Sequence, residues 1–211
     1  MNRRMILTGG GALAALTPLG LVSSSGGANG ATGDRKPAAQ YLFQDGPDWF
    51  TNAEVQTHEG KTVRFYDDLM KGKIVLFNFF FTSCDNICPR MTDNLVRVQE
   101  LLGDRVGRDI FMYSISLQPF VDTPETLRAY AKSRGVGPGW LFLTGKPADI
   151  ERLRHRLGFV DSDPVQDADL EEHIGTVRIA NEPLHRWVMG PALANPEAIV
   201  RTVSRVIPGG L

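Results

Sequence analysis

From Ile74 to Phe81 eight successive positions are apolar but for Asn78, with Lys73 before them and Thr82 and Ser83 after. A run of that length suits a strand buried on both faces and is short for a helix. Pro89 fits the first position of a helix, and Met91, Leu95, Val98 and Leu102 then recur at helical spacing. A second apolar run, Ile110 to Leu117, completes a strand, helix, strand unit with parallel strands and a right-handed crossover. The next helix opens at Asp122, Thr123 and Pro124, with Asp122 or Thr123 as its cap, and stops at Gly135. Trp140 to Thr144 reads as a strand. Pro147 starts a helix whose Ile150, Leu153 and Leu157 share a face, ended by Gly158.

Toward the C-terminus, Ile174 to Ala180 alternates, Asn181 to Pro183 turns the chain, and Leu184 to Met189 pairs back antiparallel. Asn195 and Pro196 open a last helix with Ile199, Val200, Val203 and Val206 or Ile207 facing inward. Upstream of the central strand, Ala53 to Thr57 and Thr62 to Phe65 predict a hairpin around His58 to Lys61. This order predicts an α/β domain, a mixed sheet flanked by helices, with an N-terminal β-hairpin extension.

The 211 residues, 42% of them hydrophobic, suffice for one sizeable core. A net charge of −1 without a basic block argues against a nucleic-acid partner. Arg3 and Arg4 precede a weakly hydrophobic run from Met5 to Val22 and a stretch of small residues ending near Ala31. Residues 1–30 therefore read as an export signal of twin-arginine character, or alternatively as an N-terminal membrane anchor weakened by Gly9, Gly10, Gly11, Pro18 and Gly20. No cysteine near this leader offers a lipid attachment point. Residues 31–40 read as a flexible tether and 41–211 as the folded domain, exported to the periplasm or held at the outer face of the inner membrane.

The only two cysteines, Cys84 and Cys88, fall at the turn from the central strand into the next helix. Unpaired N–H groups and partial positive charge at a helix N-terminus favour thiolate over thiol. At this spacing the side chains can form a disulfide or clasp one metal ion. A bridge enclosing three residues restrains the unfolded chain little, so functional thiols are the better reading of an exported pair. The layout is similar to that of thioredoxin-like folds, but with three intervening residues where oxidoreductases of that type favour two. The wider spacing lets the sulfurs splay around a soft ion such as Cu(I), with an imidazole as third ligand.

The stretch Phe81 to Pro89 resembles the cysteine signature of the SCO/SenC family of copper-handling cytochrome c oxidase assembly factors. Leu117 to Tyr130 is similar to that family's Asp-Thr-Pro helix start, Trp140 to Gly145 to its next strand, and Glu172 and His173 stand where it places its metal-binding histidine. The resemblance spans about residues 40 to 207. It implies a thioredoxin-like fold in which Cys84, Cys88 and His173 bind copper, as Cu(I) or Cu(II), for delivery to the CuA site of oxidase subunit II or to another cuproprotein client. Asp85, Asn86, Gln118 and Glu172 depart from the family's usual residues without removing a ligand.

The competing expectation is a thiol–disulfide reductase in which Cys84 attacks a client disulfide, Cys88 resolves it, and an external reductant regenerates the pair. A thiol peroxidase is disfavoured, since Phe77 and Phe81 stand where its proline and threonine belong. Of the other histidines, His58 reads as an exposed turn residue, His155 as a solvated helix residue, and His185 as a weaker site candidate on the last strand. Asp161 to Glu172, with six acids and no base, reads as a solvated loop.

Overall fold

The computed structural model describes Phe50–Leu211, so the expected leader, tether and first residues of the folded domain lie outside the described residues. The elements are β1 (Glu54–Thr57), β2 (Thr62–Arg64), β3 (Ile74–Phe80), α1 (Ile87–Leu102), β4 (Ile110–Ser116), α2 (Pro124–Ser133) and β5 (Trp140–Gly145). There follow α3 (Pro147–Arg156), the short α4 (Pro164–Asp167), a 3-10 turn at Leu170–His173, β6 (Thr176–Asn181), β7 (Arg186–Pro191) and α5 (Pro196–Val206). Among the described residues the strands form one sheet in the order β2-β1-β5-β4-β3-β6-β7. The β3, β4 and β5 strands run parallel, and the remaining neighbours pair antiparallel.

The central apolar run is a strand covered on both faces, as its unbroken pattern predicts. On one face Asn78 meets Met91 of α1, and the Phe80 ring packs 5.4 Å from Tyr130 of α2. There α1 is also tied to the segment before α5, because Asn94 Nδ2 donates to the carbonyls of Ala192 and Ala194 at 2.8 Å each. On the other face Phe77 packs on Phe65, and Phe79 on Phe159 just beyond α3. Each fully buried phenylalanine contributes about 2–3 kcal/mol of transfer free energy, so β3 is a firm mount for whatever follows it. Asn78, the one polar residue in the run, is satisfied: Ser114 Oγ donates to its Oδ1 at 2.8 Å and itself accepts from Trp140 Nε1 at 2.9 Å.

Several local expectations are corrected. Helix α1 begins at Ile87, two residues before Pro89, which puts Cys88 inside the first turn. Proline is tolerated there because the first N–H groups of a helix have no intrahelical acceptor. Thr123, not Asp122, caps α2, accepting from the Thr126 amide at 3.2 Å. His58 is half-buried, its Nδ1 accepting from the Phe142 amide at 3.1 Å. His185 lies in the left-handed turn before β7 (φ 52°) and is exposed, so it does not alternate on a strand. The acidic stretch is partly ordered, with Asp163 capping α4 and Asp169 the 3-10 turn. Gly158 does more than stop α3: at φ 76° it leaves room for the Arg178 guanidinium, which a Cβ would run into. Among the described residues, no helix is long and apolar enough to cross a membrane.

Candidate functional site

The chain leaves β3 at Phe80, turns through Phe81 to Asn86 and enters α1, which seats both cysteines at the C-terminal edge of the central strand. Cys84 is 8% exposed and Cys88 fully buried, and both thiols are free. The Cys88 amide donates to Cys84 Sγ at 3.4 Å. Burial would raise the Cys84 pKa, but the Cys88 amide and thiol and the amides of Asn86 and Ile87 outweigh it and hold the group below its ordinary value. Cys88 is pushed up to about 12, mainly by burial, with the neighbouring Cys84 and Asp122 adding to the rise. One turn thus holds two unlike sulfurs, the outer with its pKa lowered by the helix amides and the inner with its pKa raised by burial.

The cysteine turn is clamped from the adjacent strand. Asp122, fully buried, accepts from the amide and hydroxyl of Thr82 and from the hydroxyl of Ser116. Ser83 Oγ donates to Gln118 Oε1 at 2.8 Å across the same seam. The motif that opens α2 through Thr123 and Pro124 therefore also braces the cysteine turn through Asp122.

His173 sits elsewhere in the hydrogen-bond network. It is 3% exposed at the end of the 3-10 turn, with Nε2 2.8 Å from Arg154 Nη1 and 2.8 Å from the Asp167 carbonyl oxygen. Its Nδ1 lies 3.3 Å from the same Nη1. Arginine only donates, so one ring nitrogen accepts from Arg154. The structure brings Cys84 and Cys88 together, but it does not gather His173 with them into a set of donor atoms all within 4.8 Å of one another.

Among the described residues the set meeting that condition is Glu151, His155 and Asp167. These three converge on a cation already supplied by the chain. Arg154 Nη2 donates to Glu151 Oε1 at 2.6 Å and Asp167 Oδ2 at 2.8 Å, and lies 3.1 Å from His155 Nε2. Arg154 is 2% exposed. Its hydrogen bonds to Asp167 and Glu151 more than offset its desolvation and raise its pKa, while Arg154 in turn holds the Asp167 carboxyl well below the usual carboxylate range. Sequence reading passed over Arg154, although the signal was present. Four residues after Ile150 and three before Leu157, it stands on the inward stripe of α3.

A buried dithiol at a helix N-terminus, carried on a mixed sheet with helices on both faces, defines a thioredoxin-like thiol domain. The family model described as SCO1/SenC matches residues 51–207, and the chain belongs to that family. The SCO1 protein homolog of Bacillus subtilis is 34% identical over 100 residues, which cover 46% of this chain and 50% of that protein. The chain thus spans about half the length of this curated relative. Among solved structures, Bradyrhizobium japonicum ScoI with copper bound is 23% identical, with a TM-score of 0.56 over 74% of this chain and 97% of its own. BsSco, described as a member of the Sco family of cytochrome c oxidase assembly proteins with a disulfide switch, is 24% identical, with a TM-score of 0.58 over 72% and 90%. Both share the fold of this chain.

Proposed function

We propose that this chain is an extracytoplasmic copper carrier that binds the metal through Cys84, Cys88 and His173. It passes the metal by ligand exchange to client thiolates, the CuA site of cytochrome c oxidase subunit II or another cuproprotein. The observation that carries this reading is the paired thiols at the start of α1 in a family whose Bradyrhizobium japonicum member was solved with copper. The donor chemistry fits: two soft thiolates select Cu(I), and a neutral imidazole completes three-coordination. Cys84 is already biased toward thiolate, and the cation's charge drives the proton off Cys88. The complex of two thiolates, imidazole and Cu(I) carries one negative charge, favoured by the amides of the α1 N-terminus. The arginine pair and apolar run of the first 22 residues support export, and an N-terminal anchor would hold the domain near a membrane-bound client.

The test is an anaerobic Cu(I) titration of the reduced full chain in competition with a chelator, for wild type and His173→Ala. Tight one-to-one binding that weakens in the variant is the expected result. Equal binding by both removes His173 from the site, and weak binding by both ends the carrier reading.

The unlike environments of the two sulfurs also favour a second reading, thiol–disulfide reduction. The Cys84 thiolate attacks a client disulfide, forms a mixed disulfide and releases one client thiolate. Cys88 then loses its proton and attacks Cys84 Sγ, closing the Cys84–Cys88 bridge and releasing the second client thiolate. Two electrons pass to the client, and an external thiol reductant restores the pair.

A further inference from the structure

We propose that Arg154 is a positioning residue that competes with copper for the His173 imidazole, so that the arginine sets how readily the third ligand is given to the metal. This rests on the copper reading above. Three observations meet at this side chain. His173 and the two cysteines are not assembled into one ligand-sized set, so the histidine must leave its present partners to join them. A ring nitrogen accepts from Arg154 Nη1, and a lone pair so engaged is closed to a metal. Finally, Nη1 carries two hydrogens but faces three acceptors: Phe159 O at 2.7 Å, Asp167 Oδ1 at 2.8 Å and the imidazole, whose Nε2–H donates to the Asp167 carbonyl at 2.8 Å so that Nδ1, 3.3 Å from Nη1, is the accepting nitrogen.

The third observation makes the contact a releasable latch. When the ring departs, both Nη1 hydrogens keep acceptors in Phe159 and Asp167, so the guanidinium left behind has no orphaned donor. Arg154 itself stays put, because Glu151 and Asp167 hold its other nitrogens and its charge. No electron moves in the exchange. The hydrogen bond from Arg154 to the ring and the one from the ring N–H to the Asp167 carbonyl break and one nitrogen–copper bond forms, while the ring's single proton remains on the other nitrogen. A cation in the cage of Glu151, His155 and Asp167 is thus the protein's own guanidinium, used to park a ligand.

The test is a mutant cycle on the full chain. Cu(I) affinity is measured by chelator competition for wild type, Arg154→Met, His173→Ala and the double variant, and the His173 ring nitrogens of the first two are followed by nitrogen-15 NMR without copper. Arg154→Met is expected to shift the ring resonances toward those of a free imidazole. It should tighten Cu(I) binding about fivefold, the worth of one shared hydrogen bond, and leave affinity unchanged in the His173→Ala background. Unmoved ring resonances, unchanged or weaker affinity, or the same tightening in both backgrounds would overturn the proposal. If His173→Ala loses no affinity whether residue 154 is Arg or Met, it is the copper-ligand reading itself that fails. Should Arg154→Met not fold, Arg154→Lys decides. Its single nitrogen keeps the charge but cannot serve both carboxylates and the ring, and a smaller tightening is expected; none overturns the proposal.

Discussion

The cysteine turn and the His173 cluster are built by opposite means. At Cys84 and Cys88 the determining groups are close in sequence: a buried strand, a six-residue turn and the free amides of a helix start. At His173 the determining groups come from two elements. The α3 helix supplies Arg154 and Glu151, and the segment before β6 supplies Asp167 and the histidine. The first site is made by backbone, the second by paired charge. Backbone amides hold their direction whatever the solution, whereas a hydrogen-bonded ion pair can be rearranged by a competing ligand. On the proposed function, a carrier that must both keep and surrender a metal would gain from that division, with a fixed dithiol and a movable third donor.

The sharpest way to break the fixed half is Asp122→Ala. That carboxylate takes the Thr82 amide, the Thr82 hydroxyl and the Ser116 hydroxyl in the interior, and its loss leaves buried donors without partners. A loss of about 3 kcal/mol in unfolding free energy is expected from denaturant titration. The cysteine turn should loosen with it, seen as faster hydrogen exchange at the Cys84 and Cys88 amides. A stable variant with unchanged exchange would mean that α1 alone, not the brace from the 117–123 segment, fixes the thiols.

This difference also explains what could be read from the sequence. The strand at Ile74–Phe80, the following helix and the pairing of β6 with β7 were legible because period and length are local properties. The placing of both cysteines at the turn into that helix was legible too, but not that the helix starts at Ile87 and takes Cys88 inside it. The cap of α2 was left open between Asp122 and Thr123 because a carboxylate before Thr-Pro has two uses, and only the contacts with Thr82 and Ser116 decide between them. Arg154 was missed because an arginine on an apolar stripe is stable only with partners, and its second carboxylate, Asp167, lies thirteen residues away across two turns. His173 was picked out by family resemblance, yet no local pattern could tell that its ring faces an arginine.

A smaller effect separates the two sulfurs. The Cys88 pKa is raised to about 12 in the folded chain, so folding favours the protonated thiol. The unfolded state loses that proton first as pH rises, and the stability contributed by Cys88 therefore falls between the ordinary thiol range and about 12. Cys84 has the opposite sign: its folded pKa is depressed, so its contribution is complete above the ordinary thiol pKa and is lost as pH falls through the folded value. Unfolding curves collected through this range should be steeper in pH for wild type than for Cys88→Ala, the difference removing the shared background of buried tyrosines such as Tyr113. Alkylation should mark Cys84 first, at pH values where Cys88 remains unlabelled. Equal labelling of both would erase the division between an attacking and a resolving thiol.

The mildest expected change tests the paired-charge half. Asp167→Asn keeps an acceptor near Arg154 but removes the charge, while Glu151 and the Phe159 carbonyl still hold the guanidinium. Because Arg154 depresses the Asp167 pKa, that carboxylate contributes stability above the ordinary carboxylate pKa and loses it as pH falls through the folded value. The variant should melt slightly lower than wild type at neutral pH, by less than Asp122→Ala, and the gap should close on acidification below the ordinary carboxylate range. At the cysteines nothing should move: alkylation rates of Cys84 should match wild type, since among the described residues the hydrogen bonds to the Asp167 oxygens come from Arg154, Asp161 and His173, none of them in the cysteine turn. A changed Cys84 rate would mean that the charged cluster reaches the dithiol after all, and that the two sites are coupled before any metal arrives.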